Sequence, residues 1–506
     1  MRRLALVAVV ALVLASCSND PVDPPVVARD VSGITDPVTS TVPDSAQPLA
    51  EPLDYTIEWM PLSERLDEGR LTVPVDYADP QGDTIDLYLV RHKASNDSVG
   101  PMLANRGGPG AEGASLALNA SGYFRSDITD NFDIIGWDPR GTGQSEGAVD
   151  CVGDDEFDRF YANFDITPDT PAEREAVVDI AEEFAQACID RVPALQHIGT
   201  NNSARDMDAI RQALGVDQIS YFGFSYGSEL GGVWTTLFPT TVRAAVFDGA
   251  LDPNAGPVDI ALQQGAGFEA ALDTFLAQCS ADSSCAFNNG GDAEGAFDRL
   301  MESLDESPLP SVEGRPPIDR GVAVIALASA MYSDRYWPAF ERALEDAASG
   351  DGAGLLQLRD SYYERRPDGT YSNLIEAFQA INCADGAERP TVEESDAEVA
   401  AILDVAPRIF PYTTGSYSCT FFPEALDPRI EVTGAGAGPI VVVGTTGDAA
   451  TPLESSRAMA DALEDGRLVV VEANRHTGYA SDECVQGIVH EYLLQLVAPE
   501  DGTICS

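Results

Sequence analysis

The residues with the clearest chemical potential in this chain are Gly223-Phe224-Ser225-Tyr226-Gly227. They follow an apolar run, 219–224, and precede an apolar stretch that reads as a helix. A serine on a tight strand-to-helix turn presents its hydroxyl outward, and the flanking glycines permit the turn. The Tyr226 amide then lies at a helix N-terminus, where it can donate to a developing oxyanion. The chemistry predicted is acyl transfer with Ser225 as nucleophile. G-x-S-x-G alone is a weak pattern, and the strand before it and the helix after it supply the context it requires.

A serine at neutral pH needs a base. The chain holds four histidines: His92, His197, His476 and His490. Where a serine sits on such an elbow, the acid and then the histidine follow it in the chain. That leaves His476 and His490. His490 falls inside a predicted helix, whereas His476 lies in a loop just past the strand signal 468–471. His476 is therefore the expected base. Asp448, in Gly447-Asp448-Ala449-Ala450-Thr451-Pro452, follows the strand signal 440–443 and is the expected acid. Its carboxylate would fix the histidine tautomer and stabilise the imidazolium. A second oxyanion donor is expected from the glycine-rich loop Asn105-Arg106-Gly107-Gly108-Pro109-Gly110, where Gly108 is the candidate beside Tyr226.

Positioning these groups takes a regular frame. Leu71, Val73 and Val75 alternate, as do Ile85, Leu87 and Leu89, which predicts half-buried antiparallel strands. Short apolar runs follow at 101–104, 132–137, 219–224 and 244–247. Continuous apolar strands suit a sheet covered on both faces. Between them, 203–214 carries one apolar helical face of Met207, Ile210, Ala213 and Leu214. Strand alternating with helix implies a mostly parallel, doubly wound sheet. From 254 to 430 the pattern turns helical, at 260–278, 296–304, 321–332, 337–348 and 374–381, and then strands return. A last helix is expected at 485–496. The organisation predicted is a core over 53–253, a helical lid over 254–430 and a second core segment over 431–506.

The N-terminus reads as an export signal. Arg2 and Arg3 precede an apolar run from Leu4 to Leu14, then Ala15-Ser16-Cys17. The run falls short of the about 20 apolar residues needed to span a membrane. Leu14-Ala15-Ser16-Cys17 resembles a bacterial lipobox, which would make 1–16 a lipoprotein signal peptide. Cys17 would then be the acylated (palmitate-bearing) N-terminus of a protein anchored at the outer face of the cell membrane. An ordinary secretory signal is the alternative. Residues 17–52 lack periodicity and are rich in Pro, Asp, Val, Ser and Thr, as in a disordered tether.

Eight cysteines remain: Cys151, Cys188, Cys279, Cys285, Cys383, Cys419, Cys484 and Cys505. An even number in an exported chain points to disulfides. Of about a hundred possible connectivities, the one pairing sequence neighbours is 151–188, 279–285, 383–419 and 484–505. No C-x-x-C pair or histidine cluster suggests a metal site, and no cofactor is expected. With 83 acidic against 30 basic residues the formal charge is −53, and Lys93 is the one lysine. Such a field disfavours nucleic acid.

Taken together, these motifs resemble the tripeptidyl aminopeptidase branch of the α/β-hydrolases, related to prolyl iminopeptidases, in its secreted and lipid-anchored actinobacterial members. The resemblance spans about residues 55–505. It rests on Val73-Pro74-Val75-Asp76-Tyr77, Gly107-Gly108-Pro109-Gly110, 132–143 with Ser145, and 223–227 continuing to Leu230-Gly231. Phe238-Pro239, Asp248-Gly249, Asp252-Pro253, Tyr336-Trp337-Pro338 and Ile381-Asn382-Cys383-Ala384-Asp385 extend it, and Asp448, Thr451-Pro452 and His476 complete it. It implies an α/β-hydrolase fold with an inserted helical lid, and release of short peptides from N-termini through an acyl-enzyme. Arg106 departs from the family's usual proline or histidine, which would alter pocket access. Met60 departs from a frequent cysteine, which implies one disulfide fewer. A carboxylesterase or endoprotease would use the same triad, and a non-catalytic surface lipoprotein would not need it.

Overall fold

The computed structural model describes residues 54–162, 165–168, 170–409 and 417–506. The predicted signal peptide, Cys17 and tether lie outside the described residues.

Among the described residues a ten-stranded sheet forms the frame, in the order β1-β2-β3-β5-β4-β6-β7-β8-β9-β10. The strands are β1 (Met60–Pro61), β2 (Leu66–Pro74), β3 (Thr84–His92), β4 (Gly100–Asn105), β5 (Phe132–Trp137), β6 (Ile219–Phe224), β7 (Val242–Asp248), β8 (Ile440–Thr445), β9 (Gly466–Val471) and β10 (Thr503–Cys505). β1 to β3 are antiparallel, and β3 meets β5 antiparallel. From β5 through β10 every neighbouring pair is parallel.

Alternation of side chains explains why the inner strands read as unbroken apolar runs. Ile219 and Tyr221 of β6, Ala245 and Phe247 of β7, and Ile440 and Val442 of β8 enter one core. Phe222 and Phe224, Ala244 and Val246, and Val441 and Val443 enter the core on the opposite face. Helices Thr200–Ala213 and Tyr226–Leu237 cover the first face, and Glu483–Gln495 covers the second. Both faces are buried, as a doubly wound sheet requires.

Between β7 and β8 lie helices Pro257–Ala281, Ala293–Glu306, Arg320–Met331, Trp337–Ala348 and Ala353–Tyr362, which share a separate core around Phe275, Leu327 and Phe340. Helix Leu374–Asp385 belongs instead to the main core through Ala377, Ala380 and Ile381. The inserted block thus has one part with its own interior and one part built onto the sheet domain. Helix Pro171–Arg191 lies outside that block and has no counterpart in the sequence reading. Only Ala181, Phe184, Ala185 and Cys188 of its residues are buried, too few to set a clear period.

The disulfides join Cys151 to Cys188, Cys279 to Cys285, Cys383 to Cys419 and Cys484 to Cys505, sequence neighbours in each case. Met60 is exposed on β1. No helix among the described residues is long and apolar enough to cross a membrane.

Candidate active site

In this strand order β4 is flanked by β5 on one side and β6 on the other, so the winding reverses at β4. Crevices at such switch points, beyond the C-terminal strand ends, are where open α/β sheets bind ligands. Asn105 pairs with Gly223 in register, which sets the loop after β4 beside the turn after β6.

At that turn Ser225 takes φ 55° and ψ −126°, outside helix and strand, between β6 and helix Tyr226–Leu237. A non-glycine residue holds such a conformation only when its surroundings fix it, and these cluster at functional sites. The fixing is visible. The Ser225 N–H donates to the Asp248 carbonyl at 2.9 Å. A Cβ on Gly107 would stand 2.6 Å from the Phe224 carbonyl oxygen and 2.9 Å from Ser225 Cβ, so only glycine lets the two loops meet. The Gly107 N–H is taken by Asn105 Oδ1 at 2.8 Å. The Gly108 and Tyr226 amides have no protein acceptor among the hydrogen bonds of the described residues.

Asp448 follows β8 and is almost fully buried. Its Oδ1 accepts from the Ala450 and Thr451 N–H groups at 3.0 and 2.8 Å. Its Oδ2 accepts from Thr451 Oγ1 at 3.0 Å and the Thr477 N–H at 3.2 Å. Both oxygens lie 2.9 Å from His476 Nδ1. His476 Nε2 is buried with no hydrogen-bond partner among the described residues, so it makes no hydrogen bond to Ser225 Oγ in this structure. Burial pulls the His476 pKa down, yet the charge and hydrogen bond of Asp448, with Asp248 adding, hold it above the ordinary histidine value. His490 is elsewhere. It is half-buried on helix Glu483–Gln495, with Nε2 2.8 Å from Tyr479 Oη.

Two buried groups brace this arrangement without having been singled out for a role in the sequence. Asp248, at the end of β7, holds the Ser225 amide by its carbonyl, and its carboxylate accepts from the Gly478 and Tyr479 N–H groups at 2.7 and 3.0 Å. One residue thus joins the Ser225 turn to the His476 loop. Burial pushes its carboxyl up to about 6. Its place at the C-terminal end of a parallel strand was the available signal. Thr451 Oγ1 lies 3.2 Å from His476 Nδ1 and helps seat the ring.

The inserted helices contact the site directly. The Tyr332 ring stands edge-on to the imidazole at 5.4 Å, and the His476 N–H donates to the Tyr332 carbonyl at 2.8 Å. Helix Leu374–Asp385 lies on the glycine loop: a Cβ on Gly110 would stand 2.5 Å from the Leu374 carbonyl oxygen. Asn373 Nδ2 donates to the Gly141 and Val149 carbonyls, and its Oδ1 accepts from the Gly143 N–H. Arg106 turns away to Ser115 and to Glu364 of the insert.

The geometry suits nucleophilic acyl transfer inside a covered crevice. Comparison with known proteins points the same way. Residues 100–289 match the family model described as alpha/beta hydrolase fold, and 411–505 match the one described as TAP-like protein. The chain is 34% identical over 492 residues to serine protease Hip1 of Mycobacterium tuberculosis, across 90% of this chain and 92% of that one. It is 37% identical over 453 residues to carboxylesterase B of the same species, across 86% and 85%. It is 28% identical over 464 residues to the tripeptidyl aminopeptidase of Streptomyces lividans, across 87% and 83%.

Proposed function

The chain belongs to the TAP-like α/β-hydrolases and is a serine hydrolase, and from that premise we propose that it is an exported peptidase releasing short peptides from N-termini. Ser225, His476 and Asp448 are its triad. As Ser225 Oγ attacks the scissile carbonyl, its proton passes to His476 Nε2, and Asp448 stabilises the imidazolium. The negative charge that forms on the carbonyl oxygen is met by the Gly108 and Tyr226 N–H groups. Collapse breaks the C–N bond, with His476 returning the proton to the leaving amine. Water, deprotonated by His476, then attacks the acyl-enzyme and regenerates Ser225.

The observation that carries this reading is the strained Ser225 turn at the same C-terminal end of the parallel strands as a buried, Asp448-bound His476 whose Nε2 is unpartnered. A lid carboxylate binding the substrate's free ammonium would set the length of peptide released. Lipidation of Cys17 would hold the enzyme at the outer face of the membrane. Similarity to carboxylesterase B supports a second reading, ester hydrolysis by the same triad.

One experiment tests both layers. A fluorophosphonate should label the wild type at Ser225 and leave Ser225→Ala unlabelled. A short peptide p-nitroanilide should be cleaved faster than its N-acetylated twin. Loss of a charge-assisted hydrogen bond costs roughly 1.5–3 kcal/mol, or about ten- to a hundredfold in kcat/KM. Labelling at another serine in the mutant overturns the triad. Equal rates on the two peptides overturn the aminopeptidase reading and favour the esterase or endoprotease.

A further inference from the structure

The loop that carries Gly108 is gripped by the insert through two ion pairs of opposite sense. Arg106, next to the glycines, donates from Nη2 to Glu364 Oε1 at 3.2 Å. On the far side of the same loop Glu112 Oε1 lies 3.4 Å from Arg366 Nη2. The loop offers plus then minus, and the insert offers minus then plus two residues apart. The base of the loop is closed as well. Arg106 Nη1 donates to Ser115 Oγ at 3.0 Å, and that hydroxyl donates to the Glu112 carbonyl at 2.7 Å. The residues between are thus tied at both ends of the loop.

The insert's side of the contact is equally constrained. Glu364 sits at φ 50°, unusual for a side chain of its kind, and its Oε2 accepts from Ser372 Oγ at 2.7 Å. Arg366 Nη1 donates to the Tyr371 carbonyl at 2.7 Å. Ion pairs this accessible add little to stability. What they can set is geometry, because Arg106 adjoins Gly107, which packs on Ser225.

We propose that the crossed pairs Arg106–Glu364 and Glu112–Arg366 are a latch through which the seated insert fixes the oxyanion loop. Arg106 and Glu364 are then positioning residues for the Gly108 amide. The proposal rests on the reading of Gly108 as an oxyanion donor. A latch of this kind acts on the transition state, where the donor is needed, more than on the ground-state complex. Breaking it should lower kcat and leave KM nearly alone.

The test uses the full-length enzyme with Arg106→Glu, Glu364→Arg, the double exchange, and Arg106→Met, which removes charge but keeps length. Each single reversal should lower kcat at least fivefold with KM within twofold, Arg106→Met should fall between reversal and wild type, and the double exchange should recover most of kcat. Melting temperatures near wild type exclude simple unfolding. Single variants that keep kcat within twofold, or a double exchange no better than either single in folded protein, overturn the latch. Fluorophosphonate labelling of the wild type is read in parallel. Label on Ser225 with unchanged kcat in the variants sinks the latch alone, whereas label elsewhere sinks the underlying triad.

Discussion

His476 Nδ1 faces Asp448 at 2.9 Å and its Nε2 is buried and unpartnered, so with His476 as the proposed base the protonation state of one ring would govern the rate. Only neutral imidazole can accept the Ser225 proton. Because Asp448 and Asp248 outweigh burial and raise its pKa, activity should fall on acidification with a midpoint above the ordinary value of about 6.5. In a kcat/KM profile Asp448→Asn should move that limb to lower pH and cost roughly ten-thousandfold in kcat, the scale seen in other triads. His476→Ala should lose several orders of magnitude, whereas His490→Ala should stay within a few-fold. A mutant profile with an unmoved acid limb would remove His476 from the role of base.

At the scale of elements, helix Leu374–Asp385 is pinned at both ends and over the glycine loop. Glu376 accepts from the Cys151 and Val152 N–H groups, each at 2.9 Å, and burial pushes it up to about 8. Asp385 accepts from the Thr200 N–H at 2.6 Å, and burial, with Glu229 nearby, pushes it up to about 7. For an acid with a raised folded pKa, the folded state binds the proton more tightly than the unfolded chain. Its contribution is full below the unfolded value of about 4 and is lost as pH rises through the folded value. His92 and His490, lowered by burial, act in the opposite sense around pH 6.5. Stability should therefore fall from about pH 4 up to the folded values of about 7 and 8, and level off once Glu376 and Asp385 are ionised. Thermal melts across that range should show the slope, and Glu376→Gln with Asp385→Asn should flatten it; an equal slope in the double variant refutes the assignment. These elements also mark how far the sequence could be read. Strands buried on both faces announced themselves as apolar runs, and strand ends followed by Ser, Asp and His gave the candidate site. Helix Pro171–Arg191 hid because its buried face is four residues long, although Thr170 and Glu173 form a capping box that a search for helix starts would have caught. Asp248 showed only its place at a strand end, and the lid contacts of Tyr332 depend on tertiary placement, which no spacing within a segment encodes.

Over the whole molecule, a charge of −53 makes self-repulsion a standing cost of compactness, so added salt should raise the melting temperature by screening. If Cys17 is lipidated as proposed, the mature protein should partition into detergent and carry a diacylglyceryl group, and Cys17→Ser should be released to the medium. An unmodified N-terminus in the intact mass would refute that. Denaturing, non-reducing thiol titration should find essentially no free thiol among the eight paired cysteines. One of those bridges has a bearing on how molecules meet one another. Cys505 ends β10, a three-residue strip lying along Val469–Val471 of β9, and its bond to Cys484 ties that strip to the start of the last helix. An open strand edge is a template for adding another chain's backbone. β10 is the stopper on that edge, as the two-residue β1 ending in proline blunts the other. Cutting the Cys484–Cys505 tether by paired replacement with serine should leave the Ser225, Asp448 and His476 geometry intact and make the protein more prone to stick to its own kind, by growth from the bared flank of β9.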